Sequence, residues 1–327
     1  MRIARRDCLA GLVALTLSAG LGPASAEDEF KMGLLVPGSV AEEGWNRIAY
    51  EALKRVEKEL DAKISYVELH ENPAAFETAF RDYASQGYKV VLGHGFQFQD
   101  AALTVAQEYP DTIFLISSSY IHEGNVIGLN TDSSQPFYLM GVITAKLGAR
   151  AGLVGGMEIP PIKQSFEGFI NGMKSVDPDL PISQIYINSF TDATAAKEAA
   201  LSMMAQGAQI VVPNANAAGL GTIQAAREAG PDVQTFSVYS DYTDVAPQNI
   251  LGTYVADYGQ GIVRIVSQIK DGSFVAESNI EFGLNDPDVM KFSFNDKATN
   301  AVPEDIRNYV EEVRTKIAAG EIQTRER

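Results

Sequence analysis

Cysteine is almost missing from this chain: among 327 residues only Cys8 carries a thiol. Cys8 stands before an apolar run, Leu9 to Leu21, which follows Arg2, Arg5 and Arg6 and closes on Ala24-Ser25-Ala26. A basic start, an apolar segment of that length and a small-x-small end predict a secretory leader cleaved after Ala26. The thiol would leave with the leader, and it lies on the wrong side of the apolar run to receive a lipid. A mature chain starting at Glu27 would have no disulfide, so an exported protein of this kind must draw its stability from a large core. The Arg5-Arg6 pair keeps twin-arginine export open beside the general secretory route.

Histidine is nearly as scarce. His70, His94 and His122 are the whole set, none at metal-ligand spacing from another, so they predict surface or loop positions and no zinc site. The chain has no H-E-x-x-H, no G-x-S-x-G and no G-x-x-x-x-G-K, which removes the usual metalloprotease, serine-hydrolase and P-loop chemistries. Outside the leader no apolar run reaches the roughly 18 to 20 residues that a membrane-spanning helix needs, so no membrane insertion is expected. Basic residues are also few: 26 Lys and Arg against 42 Asp and Glu give a net charge of -16. Loss of three arginines and one aspartate with the leader takes it to -18. Such a surface repels phosphate backbones and excludes nucleic acid as a partner.

What the chain does have, from Lys31 onward, is an alternation of short β-branched runs with amphipathic stretches. This predicts an α/β fold with parallel sheets. Strands are expected at Lys31 to Val36, Ile64 to Leu69, Lys89 to Leu92, Thr112 to Ile116 and Val126 to Leu129, with helices between the earlier ones. A second series follows, with strands at Ala151 to Val154, Ile185 to Ile187, Gln209 to Val212 and Gln234 to Val238. The repetition predicts two doubly wound lobes, residues 27–130 with 256–277 and residues 131–255 with 278–327. Three crossings join them, near Asn130, Val255 and Glu277, and Asn279 to Phe282 would open the return to the second lobe.

Open α/β sheets bind ligands beyond the carboxyl ends of their strands. The loops there gather Trp45, Phe96, Phe190 and Tyr239, aromatic faces suited to a flat ring, with Asn46, Asp100, Ser118, Gln164, Asp192, Asn214 and Asp241 as polar partners. Two near-fingerprints, Gly93-His94-Gly95 and Gly219-Leu220-Gly221, lack the third glycine of a dinucleotide site, having Phe98 and Gln224 there. They predict tight turns and no cofactor. Three functional classes fit these residues: a transport receptor, a ligand sensor for a signalling partner, and a nucleoside hydrolase using Asp100 or Asp192 as base.

Several stretches carry a family resemblance: Gly44-Trp45-Asn46, Gly93 to Phe96 followed by YPDTIFLI, GGMEIPPIKQSFEGFINGM from Gly155, Asn188 to Asp192, and GAQIVVPNANAAGLG from Gly207. From Met32 to about Phe282 the chain resembles the basic-membrane-protein, PnrA-like substrate-binding proteins of ABC transporters. The resemblance implies a type I periplasmic binding protein, two Rossmann-like lobes with three crossovers, working as a monomer with a small-molecule ligand and permease subunits and without enzymatic activity. Relatives that bind purine nucleosides stack the base between aromatics and hold the ribose with an aspartate and a lysine. Asn46 matches the Asn of the family's Phe-Asn pair, Trp45 replaces the Phe, and Phe190 matches a stacking Phe. Ser237-Val238-Tyr239 stands where the family has G-V-D, Ala256 where it has the lysine, and Ser118 where an aspartate contacts the base. Without the ribose clamp, the resemblance implies a free nucleobase or another small ring compound.

Overall fold

The computed structural model describes residues 29–41, 45–70, 72–275 and 277–326. The leader expected over residues 1–26, its expected cleavage point and the glycine at 44 lie outside them. Thirteen strands and nine helices are described. In chain order they are β1 (Lys31–Val36), α1 (Trp45–Leu60), β2 (Lys63–Glu68), α2 (Pro73–Ser85), β3 (Val90–Gly93), α3 (Gln99–Ala106), β4 (Ile113–Ser117), β5 (His122–Glu123), β6 (Val126–Thr131), α4 (Ser134–Lys146), β7 (Ala151–Gly155), α5 (Pro160–Lys174), β8 (Ile182–Tyr186), α6 (Ala193–Ala205), β9 (Ile210–Asn214), α7 (Gly219–Ala229), β10 (Gln234–Tyr239), β11 (Ile250–Ala256), α8 (Tyr258–Asp271), β12 (Ile280–Phe282), β13 (Met290–Phe294) and α9 (Glu304–Ala318).

These strands form two sheets, in the orders β12-β6-β4-β3-β1-β2 and β13-β11-β10-β9-β7-β8. All pairings are parallel except β5 with β6 and β13 with β11. The central strands β3, β7 and β9 are buried along their whole length, as parallel strands covered on both faces must be. In the first sheet one face packs Leu34, Leu92 and Leu129 against Leu53 and Val56 of α1 and Ile262 and Val266 of α8. The other packs Val91 and Phe114 against Phe76 and Phe80 of α2 and Val105 of α3. Phe80 meets Phe98 and Phe114 edge-on at 6.1 and 5.5 Å, and losing such a ring costs about 3–5 kcal/mol. The second sheet repeats the scheme, with α4, α5 and α9 on one face and α6 and α7 on the other.

Local signals set the helix ends. Asn72 caps α2 ahead of Pro73, Asp192 caps α6, and Asp257 caps α8, which stops at Gly272 in the left-handed region at φ 76°.

The chain passes between the sheets at Asp132-Ser133, at Asp257, and between β12 and β13. This last position corrects one expectation. Ile280–Phe282 does not start the return to the second lobe: it pairs in parallel with β6 of the first sheet, and the crossing follows it. A three-residue strand has no pattern of its own that selects a sheet, so its partner is decided by where α8 delivers the chain.

Candidate functional site

The carboxyl ends of both sets of strands meet across a cleft. The lobes touch there through Tyr120, beyond β4, whose hydroxyl donates to Gln164 Oε1 of α5 at 3.2 Å. Ten large hydrophobic side chains are exposed among the described residues. Five of them, Trp45, Phe96, Tyr120, Met157 and Ile159, lie in or at the end of loops that leave strand carboxyl ends. Apolar surface gathered at one rim marks a contact site rather than random exposure.

On the first lobe the wall is built on His94. Its ring stacks on Trp45 at 4.3 Å between centroids and 26° between planes, and Tyr258, at the start of α8, closes the cluster 5.8 Å from Trp45. His94 has no solvent exposure. Its Nδ1 meets Ser117 Oγ at 3.1 Å and its Nε2 meets the Trp45 carbonyl at 3.0 Å. Burial drives the imidazole down to about 3, against a smaller upward pull from the Trp45 carbonyl, so it is neutral at physiological pH. Trp45 therefore lies on a neutral ring fixed at both nitrogens, with 42% of its own surface exposed. His94 is a loop histidine as expected, directly after β3, but it is not on the surface: the end of β3 is tucked under the first turn of α1. Tyr258, held neutral by burial, has its hydroxyl near Ser117 but outside hydrogen-bond geometry.

The second lobe contributes Phe190, Asn214 and Tyr239. Phe190 lies over the backbone of Gly156, where an added Cβ would stand 2.4 Å from the ring, so that glycine lets the aromatic approach β7 closely. Tyr239, last residue of β10, has φ 65°, a conformation uncommon for a bulky residue and concentrated at functional sites. Its hydroxyl lies 3.4 Å from Ser133 Oγ in the first crossing, and Ser133 also meets Tyr254 Oη at 3.0 Å. Burial raises the pKa of both tyrosines, so this wall is neutral too. Ser118, just beyond β4, is the first lobe's counterpart, with φ 57°. Beside Tyr239, a crevice lined by Pro213, Ala215, Tyr239 and Tyr242 holds about 10 Å³, room for roughly one water.

The remaining sequence candidates divide. Asn46 lies beside Gly38, its Nδ2 3.0 Å from where a Cβ there would stand, and Phe96 is 70% exposed at the rim. Asp100 is exposed in the first turn of α3. Asp192 and Asp241 use their carboxylates locally: Asp192 accepts from the Ala195 N–H at 2.9 Å, and Asp241 accepts from the Thr243 N–H at 2.9 Å and from the Thr243 hydroxyl. The Thr243 hydroxyl bond is the main reason the Asp241 carboxyl is held below its ordinary range. Among the described residues no group of three His, Cys, Asp or Glu side chains is placed to hold a metal. Sequence reading passed over His94 and Tyr258 as site residues. The usable signal for His94 was a histidine between two glycines directly after a buried strand.

This geometry has counterparts. Residues 30–327 match the family model described as ABC transporter substrate-binding protein, PnrA-like. A purine-binding protein of Brucella abortus is 27% identical over 92% of this chain and 84% of its own length. A nucleoside-binding protein of an ABC transporter in Lactococcus lactis is 26% identical over 86% and 85%. In three dimensions a solute-binding protein of an ABC transporter system from Aeropyrum pernix superposes with a TM-score of 0.73 at 20% identity, over 90% of this chain and 92% of that one. With its two matched sheets, three crossings and cleft at the strand ends, this chain belongs to the PnrA-like family of ABC transporter substrate-binding proteins.

Proposed function

We propose that this chain is the periplasmic receptor of an ABC importer, exported with its leader removed after Ala26, that holds one small neutral ring compound of the purine class between its lobes. It passes the compound unchanged to the permease subunits and works as a monomer. The observation that carries the reading is the half-exposed Trp45 stacked on a fully buried, neutral His94: a rigid, uncharged platform at the cleft. Phe190 and Tyr239 form the opposite side, and Gln164 meets Tyr120 where the lobes close.

A neutral ligand suits walls whose imidazole and phenols are all held uncharged, because an unpaired charge brought among them would lose its hydration without compensation. The purine class is supported by the names of the Brucella and Lactococcus relatives. The free base is favoured over the nucleoside by Tyr239 and Ala256, which stand where the family resemblance implies a charged ribose clamp in nucleoside-binding relatives. Titration of the purified protein with adenine, guanine, hypoxanthine and their nucleosides, followed by Trp45 emission, tests the reading. Bases should bind at least as tightly as nucleosides. No emission change with any of them, together with a non-ring compound co-purifying by mass spectrometry, would refute it.

A further inference from the structure

Four buried side-chain atoms among the described residues have no hydrogen-bond partner: Asn214 Nδ2, Asn214 Oδ1, Thr222 Oγ1 and Tyr258 Oη. Asn214 is thus a whole carboxamide left unpaired at 1% exposure. Buried amides are nearly always paired, and one that is not calls for a reason. The amide acts on the nearby Tyr239 hydroxyl without reaching hydrogen-bond geometry, so the protein comes close to satisfying it and stops short.

The two lobes supply a control for this position. In each, the third parallel strand leads through a short 3-10 turn, Phe96–Phe98 or Asn216–Ala218, into α3 or α7. His94 stands five residues before the start of α3, and Asn214 five residues before the start of α7. Both are buried. In the first lobe both ring nitrogens of His94 are taken by Ser117 and the Trp45 carbonyl. In the second lobe the same position presents a donor and an acceptor that complete no hydrogen bond, the Tyr239 hydroxyl being the nearby group that falls short of one. One position is completed by the protein, and its counterpart at the facing strand end is left open.

We propose that the Asn214 carboxamide is the specificity-determining group of the cleft, reading a ligand edge that presents a donor and an acceptor side by side. Coplanar Oδ1 and Nδ2 match a lactam N–H/C=O pair or an amidine on a heteroaromatic ring. A carboxylate offers only acceptors and an ammonium only donors, and either leaves half of the amide unpaired. Lobe closure on a ring carrying such an edge supplies the bonds that the apo protein lacks, so the cost of the unpaired amide falls on the empty state and not on the occupied one.

This inference rests on the purine-class reading above, and its test separates the two. Asn214→Leu removes both polar atoms at nearly constant volume, and Asn214→Asp keeps acceptors while losing donors. Calorimetry with adenine, guanine and hypoxanthine should show both variants weakened by about tenfold or more for whichever base the parent binds. The melting temperature of unliganded Asn214→Leu should equal or exceed that of the parent, since replacing an unsatisfied amide by a hydrocarbon of similar shape removes a cost. Parent-like affinity in Asn214→Leu overturns the role of Asn214 while leaving the cleft reading intact. A melting temperature lowered by several degrees in both variants overturns it as well, showing the amide to be part of the fold. A parent that binds none of the three bases refutes the cleft reading and this inference with it.

Discussion

Acid should unfold this protein through His94. The imidazole is buried, neutral and shifted from 6.5 to about 3, whereas in the unfolded chain it protonates near its ordinary value. Between those two pH values the unfolded state binds the extra proton. Stability therefore is fully present above about pH 6.5 and declines as pH falls towards 3. At 1.36 kcal/mol per pH unit, the gap between 6.5 and about 3 amounts to roughly 5 kcal/mol, and about half of it is lost by pH 4.5. Carboxyls held below their ordinary range, such as Asp241 and Glu108, lose their contributions at lower pH still, which leaves the window from 6.5 to 4.5 to His94. Urea unfolding followed by emission of Trp45, the only tryptophan and the ring stacked on His94, measures it directly. His94→Gln retains a donor and an acceptor but does not titrate. Its unfolding free energy should be nearly flat across the window while the parent's falls by about 2–3 kcal/mol. Parallel pH profiles for the two proteins would refute the argument, and would mean that water reaches the imidazole.

Trp45→Ala and Phe190→Ala should each weaken base binding by about 1–3 kcal/mol, the scale of base-aromatic stacking, as calorimetry would show; indifference to both substitutions would place the ring elsewhere. Arg325→Ala should destabilise the protein by roughly 1–3 kcal/mol in urea unfolding, because the guanidinium, 10% exposed, joins Asp132 of the first crossing to Glu281 of β12. An unchanged midpoint would show the bridge to be ornamental. The exported chain should begin at Glu27 without a lipid, which intact-mass measurement checks.

The alternation of apolar runs made both sheets legible, because a parallel strand covered on two faces has to be continuously apolar; Lys31–Val36 is found at the bounds its sequence predicts. β13 went unread although Met290–Phe294 alternates in burial as an antiparallel edge strand does. Its five residues lie far along the chain from the β11 strand they pair with. The loops beyond the strand ends were legible in the sequence, but what their side chains bond to was not. Asp192 and Asp241 lie in the loops after β8 and β10, yet an aspartate just before a helix or turn serves the backbone first. Asn214 was legible only as one polar residue among several, since an unpaired amide is defined by what its surroundings fail to offer.

The late third crossing also fixes an order of assembly. The first lobe's sheet is laid down by Thr131, but the α8 helix that covers it against α1, and the β12 strand on its edge, come only with residues 258–282. Arg55 of α1 waits for Asp257, 202 positions on. The second lobe in turn needs β13 and α9, which follow β12. Neither half can close its core from its own first run of strands alone, and contacts so distant in sequence form slowly. A chain synthesised at about 5–20 residues per second therefore holds its first lobe open until β12 is made and its second until α9 has followed, so the two halves close in that order.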